Sequence, residues 1–371
     1  MNLPVCIDDY EAYARKTLHP MYLDYYLSGA DAEFTLKRNR EAYERLLLRP
    51  RILVDVEKVT TSTTILGQTI RYPICVAPTA FHGLAHEDGE KATARACAAM
   101  NTCYCASTYS NFSMDEAFRS AQEIASEPLQ WFQLYVETDR EATARLVRHC
   151  EALGFRALVV TVDRPRLGRR LADLRNAFRL PGHLKMGNFS AEDPARQGAQ
   201  AYAGGQIDPA LSWRDIAWLK QLTRLPIVIK GIFRAEDAKL AIEHGVDGIL
   251  VSNHGGRQLD GCPATLEVLP EIVDACRHTK VEVYVDGGIR KGSDVFKALA
   301  IGARAVFVGR PVLWGLAYKG QTGVQQVLSM LNFDFRLTMA LSGCTSVEQI
   351  GRDYIIPAEK LAFSHTLANK L

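Results

Sequence analysis

Three things are missing from this chain, and each removes a class of function. No stretch approaches the 18 consecutive apolar residues of a membrane span, so no transmembrane helix is expected. The nine cysteines include no Cys-x-x-Cys pair. That argues against a disulfide scaffold and the common zinc spacings, and predicts buried, reduced thiols in an intracellular protein with no metal site. Charge of neither sign dominates: Lys and Arg number 44, Asp and Glu 42, and the net charge is +2. Bulk electrostatics therefore points to neither nucleic acid nor a membrane surface as partner. Low-complexity segments and interdomain linkers are also absent, and residues 1–16 carry Asp8, Asp9 and Glu11 without the apolar core of a secretory signal.

What is present is an ordinary globular composition, 47% apolar and 23% charged, over 371 residues. That length suits one large α/β barrel, which needs about 250 residues plus insertions. Residues 5–50 read as helical: Tyr10, Ala14 and Leu18 recur at helical spacing, Pro20 breaks the pattern, and a further run reaches Ser28-Gly29. Tyr25 and Tyr26 are expected there as half-buried aromatics. From residue 73 the texture changes. Short apolar, β-branched runs begin near 73, 102, 130, 157, 226, 248, 281 and 305, mostly separated by helical patterns. Continuous apolar runs suit parallel strands covered on both faces. Eight βα units predict a single (β/α)8 TIM barrel, with a helical cap at 1–70, the barrel at 71–345 and a tail at 346–371. Only the interval after the fourth run is long. Residues 182–212 are rich in Gly, Ala, Gln, Asn and Asp, which predicts a long loop, either a lid or a structural insertion.

In such barrels chemistry lies at the C-terminal ends of the strands. Those ends read Pro78-Thr79-Ala80, Ser107 with Tyr109, Gln133 with Tyr135, Thr161 with Asp163, Lys230, Ser252 to Arg257, Asp286-Gly287-Gly288 with Arg290, and Gly309-Arg310. Polar groups at all eight ends imply a ligand site. The last two strands end where barrels build phosphate sites from backbone N–H groups and a helix N-terminus, and Arg290 and Arg310 add charge. Lys230 closes an apolar run, an unlikely place for an ammonium without a task. It would either form a Schiff base, as in a phosphate-binding lyase, or stand beside a ligand that becomes negative. The turn Ser252-Asn253-His254-Gly255-Gly256-Arg257-Gln258-Leu259-Asp260 sets a proton acceptor beside an anion clamp. Asp163 is a candidate partner for the imidazole and Arg170 a candidate second clamp. The plain alternative for each of these residues is a solvated turn or a helix cap.

These residues resemble the FMN-dependent 2-hydroxyacid oxidase family: Ser252 to Asp260, the Asp286-Gly287-Gly288-x-Arg290 turn, Gly309-Arg310-Pro311 and Gln133-Leu134-Tyr135. The similarity runs from Tyr25-Tyr26-Leu27-Ser28-Gly29-Ala30 to Leu341-Ser342-Gly343-Cys344. The resemblance implies FMN as cofactor, with Thr79, Ser107, Gln133 and Thr161 at the isoalloxazine ring and Lys230 at its N1 side. Ser252 would add a flavin contact, while Asp286, Gly288, Arg290, Gly309 and Arg310 would hold the ribityl phosphate. Tyr25, Arg170 and Arg257 would grip a substrate carboxylate and Tyr135 the 2-hydroxyl, with His254 as base and Asp163 behind it. The implied reaction oxidises a 2-hydroxy acid (lactate, glycolate or a longer acid) and passes electrons to oxygen, giving hydrogen peroxide. Another electron acceptor, as in the family's dehydrogenases, is the alternative. A homotetramer is implied, and Asn369-Lys370-Leu371 resembles a peroxisomal address. Two positions depart from the pattern. Tyr109 stands where glycolate oxidases have Trp, leaving more room on carbon 2, and Arg164 replaces a more usual Thr.

Overall fold

The computed structural model describes residues 3–189 and 206–361. Eight parallel strands close into a barrel: β4 (Ile74–Val76), β5 (Tyr104–Ala106), β6 (Gln130–Leu134), β7 (Leu158–Thr161), β8 (Ile227–Ile232), β9 (Gly248–Val251), β10 (Glu282–Asp286) and β11 (Ala305–Val308). Each matches an apolar run of the sequence. The (β/α)8 expectation therefore holds, with helices such as α4 (Gly89–Ala99), α6 (Arg140–Leu153) and α10 (Thr265–Cys276) on the outside.

The strands are apolar over most of their length because both faces are covered, and the two faces bury different cores. Ile74, Val76, Phe132, Leu134, Leu158 and Val160 join a large cluster with the helices. Their neighbours Cys75, Cys105, Trp131, Val159, Val228, Leu250, Tyr284 and Phe307 form a separate cluster, the barrel interior. Period-two alternation does the sorting. The same period carries one step further up each strand, from Cys105 to Ser107, Trp131 to Gln133, Val159 to Thr161, Val228 to Lys230, Leu250 to Ser252 and Tyr284 to Asp286. The interior thus changes from hydrocarbon to hydrogen-bonding groups within one residue pair.

The segment before the barrel is less purely helical than expected. Helices α1 (Ile7–Thr17), α2 (Pro20–Leu27) and α3 (Phe34–Glu44) form the cap, but β1 (Leu46–Leu48) and a hairpin of β2 (Thr63–Ile65) and β3 (Gln68–Ile70) follow. The hairpin turn places Leu66 at φ 46° and Gly67 at φ 77°, the pair of left-handed residues a type I′ turn demands. Ile65 and Ile70, both fully buried, join the interior cluster and plug the barrel's N-terminal end. Two side chains fasten the plug: Glu282 accepts from the Leu66 N–H at 3.0 Å, and Arg304 donates to the Thr64 carbonyl at 2.7 Å. Two three-residue strands joined by a two-residue turn carry too little periodicity to be seen in the sequence.

The span from residue 346, expected as a tail, contributes β12 (Ile355–Pro357), which pairs antiparallel with β1. Of the long loop at 182–212, residues 190–205 lie outside the described residues, as does Asn369-Lys370-Leu371. The near flank is pinned: the Asn188 amide donates to the Ser107 and Thr108 carbonyls at 3.2 and 3.0 Å. Tyr25 and Tyr26 are buried rather than half-buried, at 6% and 4% exposure, and the Tyr26 hydroxyl donates to the Phe81 carbonyl at 2.6 Å. The nine cysteines are free thiols, most of them buried. Among the described residues no helix is long and apolar enough to cross a membrane.

Candidate active site

A cavity opens at the C-terminal end of the strands. It gathers the strand-end residues from all around the barrel: Pro78, Thr79 and Ala80, then Ser107 and Tyr109, Gln133 and Tyr135, Thr161, Lys230, His254 and Arg257. Asp286, Gly287, Gly288 and Arg290 form another part of the wall with Gly309 and Arg310, and the cap adds Tyr25. Arg170 reaches in from the turn before α7 (Leu171–Arg175). Two expected residues do not line the cavity. Asp163 stands behind His254, and Ser252 stands behind Lys230, accepting from its Nζ at 2.9 Å and from the His254 N–H at 3.1 Å.

His254 is held by its backbone and by its ring. The chain runs through three successive left-handed residues, His254 (φ 59°), Gly255 (φ 65°) and Gly256 (φ 75°). A side chain at the first of these is uncommon and belongs to a site where position outweighs strain. His254 Nδ1 lies 2.9 Å from Asp163 Oδ1, and Nε2 lies 3.4 Å from the Tyr135 hydroxyl on the cavity side. Burial lowers the imidazole to about 4 against the opposing pull of Asp163, with Lys230 reinforcing the fall. The ring is neutral at pH 7, a base waiting for a proton. Asp163 shifts the other way: burial would raise it, but His254 and Lys230 outweigh that and hold it below the usual carboxylate range. Gly231 makes room for this pair. It sits at a bulge in β8 with φ 111°, and a Cβ there would come within 2.7 Å of Asp163 Cβ.

Lys230 is 3% exposed, and its Nζ lies 3.7 Å from Asp286 Oδ2. Burial would depress the ammonium, but Asp286 and Asp163 together raise it. A Schiff base needs the neutral amine, so the lyase alternative loses its nucleophile. The geometry instead sets a permanent cation beneath the cavity. Gln133 is fixed as well: it donates to Thr161 Oγ1 at 3.0 Å and accepts from the Ser107 hydroxyl at 3.3 Å and the Thr108 N–H at 3.2 Å. Thr79 Oγ1 lies 2.5 Å from His82 Nε2, a ring that burial keeps neutral by lowering it to about 3. His82 fixes Thr79 from behind, and Thr93 Oγ1, 2.9 Å from its Nδ1, fixes the ring in turn.

The arginines make the cavity strongly cationic. Burial, with Arg40 adding repulsion, lowers Arg290 to about 10, and burial with Arg257 and Arg290 lowers Arg310 to about 9. Among the described residues, buried Asp286 Oδ1 and Arg290 Nε have no hydrogen-bond partner. An acceptor and a donor left over in the wall of one cavity, with surplus positive charge, fit a polyhydroxylated anion such as a ribityl phosphate. A Cβ on Gly288 would fall 1.9 Å from the Asn39 carbonyl oxygen, so the space a side chain would need there is taken by α3.

Arg257 and Arg310 also brace the cap. Arg257 Nη1 donates to the Tyr25 and Ser28 carbonyls at 2.6 and 2.7 Å, and its guanidinium lies 4.9 Å from the Tyr25 ring centroid. Arg310 donates to the carbonyls of Tyr26, Gly255 and Ser28. Arg170 Nε lies 3.3 Å from the Arg257 carbonyl, so the two clamp candidates are neighbours. Asn253 exchanges amide hydrogen bonds with Asn39 at 2.8 and 2.9 Å, and Asp260 accepts from the N–H groups of Ala32, Phe34 and Thr35 at the start of α3. Half of the Ser252 to Asp260 turn thus faces the cavity and half holds the cap. The second half was invisible in the sequence, because its partners lie more than 200 residues away.

A family model described as FMN-dependent dehydrogenase matches residues 14–357. The 2-hydroxyacid oxidase 1 of Mus musculus is 51% identical over 360 residues, covering 95% of this chain and 96% of its own. The glycolate oxidase of Spinacia oleracea is 49% identical over 355 residues, covering 94% and 95%. Among solved structures, mandelate oxidase with (S)-4-hydroxymandelic acid superposes with a TM-score of 0.89 at 42% identity, covering 95% of this chain and 98% of that one.

Proposed function

This chain belongs to the FMN-dependent dehydrogenase family, and from that membership we propose that it is an FMN-dependent (S)-2-hydroxy acid oxidase. One observation carries the reading: a neutral imidazole, held through Nδ1 by Asp163, presents Nε2 to a cavity that also holds five arginines, Arg170 and Arg257 among them, and a buried lysine.

Arg170 and Arg257 bind the carboxylate of the 2-hydroxy acid, which fixes the α-carbon in one orientation. Tyr135 and His254 Nε2 then face the 2-hydroxyl. His254 Nε2 takes up the proton the substrate gives up as it is oxidised, and the ionised Asp163 stabilises the imidazolium that results. FMN, when bound, supplies the two-electron acceptor. Thr79, Ser107, Gln133 and Thr161 would hold its ring system, and Arg290, Arg310 and the backbone of Gly288 and Gly309 its phosphate. Lys230 provides a cation where negative charge would build up in the ring, and Ser252 and Asp286 keep it in place.

Oxygen as the final acceptor, with peroxide as product, belongs to this reading. So do a homotetrameric assembly and a peroxisomal location, which a peroxide-forming activity suits. The purified protein should be yellow, should bleach anaerobically with lactate or a longer 2-hydroxy acid, and should form peroxide in air. A colourless protein that takes up no FMN on reconstitution would sink the proposal.

A further inference from the structure

Arg164 has no part in the roles assigned above. It follows Asp163 in the turn after β7, is 6% exposed and lines the cavity. Its guanidinium carbon lies 5.0 Å from the Tyr135 ring centroid and 5.3 Å from that of Tyr109. Those two rings are themselves 5.2 Å apart. Tyr135 in turn reaches His254 Nε2 at 3.4 Å. A cation therefore sits within one aromatic ring of the reacting base, on the wall that Tyr109 shapes. The family resemblance puts the room for a substituent on carbon 2 at Tyr109, so Arg164 stands where the far end of a longer substituent would lie.

We propose that Arg164 is a specificity-determining residue that selects 2-hydroxy acids carrying a second carboxylate, such as malate or 2-hydroxyglutarate, over alkyl acids of equal length. This rests on the oxidase reading of the site. The physics works in both directions. A guanidinium is built to take a carboxylate through two parallel hydrogen bonds, and in a buried setting such a bond is about twice as strong as a neutral one. An alkyl group pressed against the same guanidinium offers it no hydrogen bond in return. The residue thus rewards one substrate and penalises the other, which is how discrimination arises. Tyr109 supplies the room for a longer substituent, and Arg164 decides what its far end should be. A Thr at this position, as the family resemblance would have it, carries no charge and makes no such distinction.

Stacking on two tyrosines could also be the whole of its role, a prop that keeps the rings in place. The two roles respond differently to loss of charge. The experiment compares length-matched pairs on the holoenzyme: (S)-malate against (S)-2-hydroxybutyrate, and (S)-2-hydroxyglutarate against (S)-2-hydroxyvalerate, with lactate as control. It is repeated in Arg164→Met, which keeps the long apolar stem, and in Arg164→Lys, which keeps the charge. In parallel, flavin absorbance is titrated with unreactive succinate and butyrate. One charge-assisted hydrogen bond should give the wild type about a tenfold or greater preference in kcat/KM for the dicarboxylate. Succinate should bind more tightly than butyrate. Arg164→Met should bring both ratios to about one, and Arg164→Lys should keep part of each. Equal kcat/KM within the pairs in the wild type would overturn the inference. So would an equal loss for both members of a pair in Arg164→Met. Lactate oxidation without any dicarboxylate preference defeats only this inference, whereas failure of every acid, lactate included, to reduce the flavin defeats the oxidase reading itself.

Discussion

The two ends of this barrel are made from the same eight strands and obey opposite rules. At the N-terminal end the interior is Trp131, Tyr284, Phe307 and their neighbours, closed by Ile65 and Ile70. Two residues further along the strands stand Gln133, Asp286, Lys230 and Thr161, lining the open cavity. One end gains stability by excluding water from hydrocarbon; the other keeps charges in a buried space and tolerates His254 in a left-handed conformation. The difference teaches that stability and chemistry are separated along the strand direction, not between segments of sequence. A single strand serves both.

That separation can be tested by breaking one end at a time. The largest effect belongs to the open end. His254→Ala should lower turnover by about 10²–10⁴-fold, the usual contribution of a general base, while FMN content and melting temperature change little. Loss of flavin with full activity per remaining flavin would contradict the role given to His254. Next comes the sealed end. Trp131→Ala removes a fully buried ring that packs on Tyr284 and Phe307, and should cost about 3–5 kcal/mol in chemical denaturation, with kcat per bound flavin nearly preserved. A large drop in kcat at unchanged stability would show that the two ends are not separate.

A smaller effect tests the junction between motif and cap. Asp260→Ala removes the acceptor at the start of α3 and should cost about 0.5–2 kcal/mol, the usual worth of a helix N-cap. Because α3 packs on the Gly288 wall, FMN affinity should weaken with it. The smallest expected effect is an absence. With His254 lowered to about 4, kcat/KM should show no acid limb near 6.5 and should fall tenfold per unit only below about 4. The stability term has the matching sign. Between pH 6.5 and 4 the unfolded chain binds a proton that native His254 does not, so folding weakens as pH drops through that window. An acid limb at the ordinary imidazole value would show that burial does not set this group.

The barrel was legible because all eight strands announce themselves as continuous apolar runs, which only a doubly covered parallel sheet needs. The cavity was legible for a related reason: a polar residue at the end of such a run has one place to point. What escaped the sequence depends on three-dimensional neighbours. The hairpin is too short to show a period. The Asn39–Asn253 pair and the Asp260 cap join residues far apart in the chain, and neither member looks unusual alone. Tyr135 and Tyr109 were readable as pocket residues, but the stacking of Arg164 on both was not.

The bonds between Ser252 to Asp260 and the cap set an order of events during synthesis. Residues 30–39 leave the ribosome early, whereas their partners at 253 to 260 follow more than 200 residues later. The cap therefore waits while most of the barrel is made, and locks only when β9 has taken its place. Contacts of such long sequence separation form late and slowly. Completion of the active-site wall and docking of α3 against the Ser252 to Asp260 turn are one step. A nascent or half-folded molecule thus lacks the cap-side wall of the cavity, and oxidation begins only in a finished one.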